Sequence, residues 1–528
     1  MAEAGIFHEA ECVFICADLL EFTDRGSWED RSMNEPADEN GVLQPLAGVE
    51  FQGRRQFVKG MAALGAALAV PSISAEVVAT RTQAVKPTPG SDPPVTDAWG
   101  PFTPSSSAGR YLQVTYPAST AKGELQIAAT YTLWLPDNVK TVRALIVHQH
   151  GASIPAAQAG ATSAYDLHWQ ALAKKWDCAL LGPSYRVLND AIDLTPGGAE
   201  LWFDPRLGSE RVFLRALDEF AAKSGHAEIA TAPWCLWGHS GGGIWANVMS
   251  ILHPERVLAA FLRSGAAVMF RSRHEFIQPE VPLAVYEIPT MVNFGVGERG
   301  NRPWDGSIAT FQEYRAQGAP VGFAPDPRTG HFCGDCRYLA IPFFDACLQM
   351  RLTEWNKILK PVDLSSAWLA PLFGDKAVPA SEFKGDPLKA AWLPNAAAAR
   401  IWMEYVGTGT VSDASAPSAP VNVRVNADAN HGNEITWEAE AGIVSGLGGF
   451  IVLRDGHGIA KLPTQPPEAV YGRPLFQGLS YHDTPVAPLA QMKHVDTSAQ
   501  PGAKHVYTVI ALSSANVPSP PSLPASVG

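Results

Sequence analysis

Residues 234–243 read WCLWGHSGGG, an apolar run that ends in a serine crowded by glycines. The run has the composition of a buried strand, and the next stretch, GIWANVMSILHPE, has that of a helix. A chain that passes from strand to helix within so few residues must turn sharply. Side chains two positions before or after the serine would collide with the neighbouring strand and helix, so glycine is needed there on steric grounds. Gly238-His239-Ser240-Gly241-Gly242 therefore predicts a strained G-x-S-x-G elbow that exposes the Ser240 hydroxyl. The new helix would aim its free N–H groups at the same place.

A serine hydroxyl is a poor nucleophile at its free pKa and needs a base, which in turn needs an orienting carboxylate. His331, in DPRTGHFCGD after the last strand-like run, is the expected base. His239 is the x of the elbow, and its side chain is expected to point elsewhere. His274, in a polar insertion, is the alternative base. The acid should follow the preceding strand. Glu298 stands three residues after Gly295 in TMVNFGVGE, and Asp305 in NRPWDG is its rival. An oxyanion needs two N–H donors. Gly241 should supply one, and Gly151 or Ala152, after ALIVHQHG, the other. His148 and His150 form H-x-H without a further ligand pattern, so neither a metal nor a cofactor is expected.

Around the elbow, strand-like runs (143–151, 178–185, 234–238, 257–265, 290–297, 320–325) alternate with helix-like ones (167–176, 209–225, 243–255, 309–318). This alternation predicts a mostly parallel sheet with helices on both faces. Ser209 is the expected N-cap of the 209–225 helix, with Gly225 near its end. The aromatic runs, Tyr185 included, read as core. The pattern stops near residue 357, and 358–415 reads as an irregular connecting segment with some helical stretches. From 416 to 528 short strands separated by turns (VNVRVNA, NEITWEA, GFIVLRDG, VYTVIALSS) predict an all-β sandwich. With its own core, this module is expected to be a spacer or binding module, and the enzyme without it should still turn over a small soluble ester.

The chain has 528 residues, too many for one ordinary core. Its composition, 46% hydrophobic and 17% charged, is that of a folded protein. The net charge is −12, and residues 1–75 hold 12 acidic and 5 basic residues of the total. The mildly acidic remainder argues against nucleic acid or an anionic membrane as partner. GRRQFVK at 53–59, followed by an apolar stretch ending at Ala75, has the layout of an export signal. Arg54 and Arg55 resemble the twin-arginine signal. That implies the twin-arginine export machinery as partner and a periplasmic or extracellular destination. The apolar stretch is too short for a membrane span. Residues 1–75 are read as leader, with Met33 an alternative start, and 76–106 as linker.

Of seven cysteines, Cys12 and Cys16 lie in the leader. Cys178 and Cys235 fall in core strands. Cys333 and Cys336 form a C-x-x-C that lacks the second pair of ligands zinc requires, so a local disulfide is the expectation.

Together, the elbow, the stretch GFAPDPRTGHFCGDCRYLAIPFFDACL and the order Ser240, Glu298, His331 resemble the α/β-hydrolase superfamily over residues 107–357. The closer resemblance is to secreted bacterial esterase-like hydrolases. Glu stands where Asp is commoner, and the loop after ALIVHQHG lacks the extra glycines of H-G-G-G esterases. Residues 416–528 resemble a fibronectin type III domain, with Trp437 as the core tryptophan and Tyr507 on the strand that bears the tyrosine corner. The resemblance implies a serine esterase acting through an acyl-enzyme, and export together with the appended sandwich points by analogy to polymeric or plant-derived esters as a substrate class. A serine peptidase of the same fold, or a non-catalytic adhesion or carbohydrate-binding protein on a hydrolase scaffold, are the alternatives.

Overall fold

Six runs of apolar residues form consecutive strands whose side chains are wholly buried: β3 (Leu145–Gln149), β4 (Ala179–Tyr185), β5 (Trp234–His239), β6 (Val257–Arg263), β7 (Thr290–Gly295) and β8 (Val321–Asp326). Burial on both faces explains why these strands do not alternate polar with apolar residues. A computed structural model of the chain describes residues 109–526, apart from 153–155, 157–158, 187–200, 273–277, 354–357, 375, 429–431, 466–468 and 501. The leader, Arg54, Arg55, the first two cysteines and His274 lie outside the described residues.

β3 to β8 pair in parallel. Two further strands, β1 (Gly109–Tyr116) and β2 (Ala129–Pro136), extend the sheet antiparallel, in the order β1-β2-β4-β3-β5-β6-β7-β8. Helices Leu167–Lys175, Ser209–Ser224, Gly241–Leu252, Arg302–Ala316 and Arg337–Arg351 connect the strands. This mixed, mostly parallel sheet with its elbow after β5 is an α/β-hydrolase fold. Among the described residues no helix is long and apolar enough to cross a membrane.

Local chemistry departs from expectation in places. Gly208, in the left-handed region at φ 110°, caps the helix Ser209–Ser224, and Ser209 is its first residue, donating its hydroxyl to the Trp202 carbonyl at 2.5 Å. Residues 358–415 carry a small sheet besides the helical stretch expected there. The sheet holds β9 (Trp368–Ala370), β10 (Val378–Pro379) and β11 (Ala391–Leu393), and the helix is Ala396–Thr408. All five described cysteines are buried free thiols, Cys333 and Cys336 included, in place of the expected disulfide.

The C-terminal strands form two sheets. One contains β12 (Val421–Asp428), β13 (Gly432–Glu438) and β16 (Lys493–Asp496). The other contains β14 (Gly449–Arg454), β15 (His457–Leu462), β17 (Val506–Leu512) and β18 (Ala525–Ser526). Trp437 packs edge-on to Phe450 in their shared core, at 5.2 Å between ring centroids. Tyr507 does not make a backbone corner. Its hydroxyl donates to Asp496 Oδ2 at 2.8 Å and accepts from Asn433 Nδ2 at 2.9 Å.

The sandwich is not a detached spacer. Between β15 and β16 a long connection reaches the hydrolase sheet. There Asp483 accepts from Arg337 Nε at 2.7 Å and Trp169 Nε1 at 3.2 Å. Gln477 donates to the Tyr165 carbonyl and accepts from the Leu167 N–H, at 2.8 and 3.0 Å.

Candidate active site

The elbow sets the geometry. Ser240 sits at φ 54°, ψ −120°, between the end of β5 and the first residue of the next helix, a backbone strain associated with functional positions. A Cβ on Gly238 would run into the Gly242 carbonyl, and one on Gly242 into the carbonyls of Gln149 and His150. These contacts are the steric reason for G-x-S-x-G.

Three side chains from separate loops meet here. His331 Nε2 lies 2.9 Å from Ser240 Oγ, and His331 Nδ1 lies 2.5 Å from Glu298 Oε1. Glu298 occupies the turn directly after β7, buried at 3% exposure. Its Oε2 accepts from the Ser264 hydroxyl at 2.7 Å and the Gly295 N–H at 3.1 Å. Burial alone would raise this carboxyl's pKa. The bond and charge of His331, the Arg263 charge and the Ser264 bond outweigh it and hold the group below the usual range, ionised at neutral pH. A carboxylate that accepts from an N–H, an O–H and an imidazole favours the Nδ1–H tautomer of that imidazole, which leaves Nε2 free to accept from the Ser240 hydroxyl.

Asp305 is elsewhere. It belongs to the first turn of helix Arg302–Ala316, its pKa is raised by burial, and no hydrogen bond joins it to His331.

The loop after β3 meets the helix that follows the serine. A Cβ on Gly241 would stand 2.7 Å from Ala152 Cβ and 3.4 Å from Ala152 N, so Gly241 and Ala152 approach each other closely. A Cβ on Gly151 would stand 3.5 Å from Ser240 Cβ. His150 Nδ1 donates to the Gly151 carbonyl. In a trans peptide the carbonyl and the following N–H point opposite ways, so this bond turns the Ala152 N–H away from His150. Burial lowers the His150 pKa to about 3 and keeps the ring neutral. His148 stacks on Trp237 at 3.9 Å and points Nε2 at Asp483, 3.4 Å away. Both histidines of the H-x-H thus support the loop. Tyr185 is core, bonded through its hydroxyl to that of Tyr131 at 2.9 Å.

Several contributors lie outside the expected set. Arg263, at the end of β6, is fully buried and donates to Asn293 Oδ1, Thr329 Oγ1 and the Gly330 and Phe332 carbonyls, so it grips the backbone on both sides of His331. From the sandwich, Tyr481 and His482 pack beside the site, with ring centroids 5.8 and 5.0 Å from that of His239. The signal for them was length: the connection from Leu462 to Lys493 is far longer than a hairpin needs, and such loops are usually functional.

No family model and no curated protein matches the chain. Among solved structures, an S-formylglutathione hydrolase from Agrobacterium tumefaciens is similar at 15% identity and TM-score 0.32, over 47% of this chain and 96% of that one. A thermostable esterase is similar at 19% identity and TM-score 0.28, over 41% of this chain and 54% of that one, so the chain spans about half its length. A Fn3-like protein from Clostridium thermocellum is similar at 21% identity and TM-score 0.15, over 22% of this chain and 94% of that one. These are likenesses over part of the chain, and none of them says what this protein acts on.

Proposed function

We propose that this protein is a serine hydrolase that cleaves carboxylic esters through an acyl-enzyme. The observation that carries the reading is the hydrogen-bonded line from Ser240 Oγ to His331 Nε2 at 2.9 Å and from His331 Nδ1 to Glu298 at 2.5 Å. As Ser240 Oγ bonds to the ester carbonyl carbon, its proton passes to His331 Nε2. Glu298 stabilises the imidazolium, and the N–H groups of Gly241 and Ala152 receive the oxyanion. Collapse breaks the ester C–O bond, and His331 gives the proton to the leaving alkoxide. Water then attacks the acyl-enzyme by the same route, releasing the acid and regenerating Ser240.

The twin-arginine-type stretch around Arg54 and Arg55 supports export to the periplasm or beyond. With an appended sandwich, polymeric or plant-derived esters are the substrate class to examine first. The test is a hydrolysis screen across short-chain esters, feruloyl esters, acetylated glycans, polyesters and peptides, with Ser240→Ala alongside. Ester turnover that falls by orders of magnitude in Ser240→Ala is the expected result. Peptide cleavage without ester turnover would overturn the ester reading in favour of a peptidase, and no turnover of any substrate would overturn the enzyme reading.

A further inference from the structure

His331 is held by its backbone as well as by its side chain. Arg263 takes the carbonyls on either side of it, and the His331 carbonyl itself accepts from His239 Nε2 at 2.7 Å. The other nitrogen of His239, Nδ1, lies 2.8 Å from Nδ1 of His482, which belongs to the sandwich.

Donor and acceptor roles follow from the end of this chain. A carbonyl can only accept, so His239 Nε2 carries the hydrogen. In the neutral ring Nδ1 is then a lone pair, and His482 Nδ1 must be the donor. Burial keeps both rings neutral. It pushes the His239 pKa well below its ordinary value, and the nearness of His331, His482 and the Arg263 guanidinium further disfavours a proton there. It lowers His482 to about 3, with help from His150, His331 and His148. One direction of hydrogen bonding is therefore fixed: His482 to His239 to the backbone of His331.

The residue that starts this chain is itself clamped. The His482 N–H donates to Ser480 Oγ at 3.2 Å, and the Tyr481 carbonyl accepts from the Cys333 N–H, two residues past His331, at 3.2 Å. The next residue, Asp483, is fully buried and ion-paired with Arg337. His482 also stands against the loop that carries Ala152: a Cβ on Gly151 would be 3.0 Å from His482 Cε1.

We propose that His482 is a positioning residue for the base: it acts through His239 on the His331 backbone, so the C-terminal sandwich completes the hydrolase active site. The inference rests on the serine-hydrolase reading for its kinetic consequence and on the hydrogen-bond chain alone for its structural one.

The full-length protein is compared with His482→Phe, which keeps a ring and removes the donor, and His482→Asn, whose side-chain amide can place an N–H where Nδ1–H stood. Kinetics use one activated ester. His482→Phe is expected to lower kcat roughly 10- to 100-fold, the scale of a small misplacement of a catalytic group, with KM within about 2-fold of the wild type. His482→Asn should recover most of the loss. In a His239→Gln background, which keeps the donor to His331 and removes the acceptor for His482, His482→Phe should have little further effect. Wild-type kcat in His482→Phe overturns the proposal, as does an equal loss in a folded His482→Asn variant.

Imidazole ¹⁵N spectra of the wild-type protein test the chain without relying on turnover or on variants that fold. The expected pattern is His482 protonated on Nδ1 and His239 on Nε2, unchanged from pH 5 to 9. The opposite tautomer in either ring, or titration of either within that range, overturns the proposal even if ester hydrolysis is never detected. Correct tautomers with no esterase activity would overturn the functional reading alone.

Discussion

Arg337 and Asp483, both sealed from solvent, meet at 2.7 Å although one belongs to the hydrolase sheet's last helix and the other to the sandwich. Arg337 also holds Asp166, which caps the helix Leu167–Lys175, so one guanidinium ties a helix start, a helix and the visiting loop together. Burial opposes the Asp483 charge, but Arg337 and His148 overcome it and keep the carboxyl below its usual range.

Breaking this pair should be costly although Arg337 keeps Asp166: Asp483 accepts from Arg337 Nε through Oδ1 and from Trp169 Nε1 through Oδ2, so an amide in its place turns an NH₂ against a buried donor. Asp483→Asn is expected to destabilise the protein by about 3–5 kcal/mol. The exposed pair Lys174–Glu440, which also spans the two domains, is a control: Lys174→Met should leave the unfolding midpoint within error. Denaturant unfolding of the two variants checks both expectations.

Removal of residues 416–528 should abolish turnover of even a small soluble ester. The truncated chain loses the Arg337–Asp483 pair, the donor to His239 and the acceptor for the Cys333 N–H. Steady-state rates on one activated ester, with circular dichroism of the truncated chain, measure this. A folded truncation with wild-type kcat would show that the loop only rests against the site.

Acid should weaken the fold earlier than carboxylate titration alone would. Burial depresses the His150 and His482 pKa values to about 3 and the His168 value to about 4. Unfolded, each ring would titrate near 6.5, so the unfolded chain takes up protons first as pH falls. The stability from keeping these rings neutral is full above about pH 6.5 and is lost progressively toward the folded values. At pH 5.5 the loss is about 1.4 kcal/mol per ring. Asp483 and Glu298, depressed as carboxylates, add a further loss only below about pH 4–5. Unfolding free energy measured from pH 8 to 5 should fall most steeply below 6.5.

Glu298→Gln should lower kcat on the order of 10²–10⁴-fold. Ser264 and the Gly295 N–H both donate to Oε2, so they would fix the amide carbonyl there and turn its NH₂ toward His331 Nδ1. That favours the wrong tautomer. Asp305→Asn, on helix Arg302–Ala316, should leave kcat nearly unchanged. The same activated ester serves for both variants.

Much of this arrangement was legible because it is local. The largely apolar runs of β3 to β8 are too short for ordinary helices and alternate with helical patterns, so they read as strands buried on both faces. Glu298 and His331 each lie within a few residues of a strand end, where chain geometry leaves little freedom. The strands of 368–393 are two or three residues long, too short to show a period. His482 was illegible for another reason: it meets His239 across 243 positions, and nothing in YHDT itself says which neighbour it will find. Ser264 and Arg263 likewise acquire their roles only when the base loop folds over them.

The proposed chemistry starts at the Ser240 hydroxyl, and covalent labelling probes that nucleophile without a substrate. The direct measurement is intact-protein and peptide mass spectrometry after exposure to a fluorophosphonate probe, for the wild type and Ser240→Ala. One adduct per chain is expected, located on the peptide containing Ser240, and none in the variant. An adduct on another residue, or a Ser240→Ala protein that labels and hydrolyses ester at the wild-type rate, would contradict it.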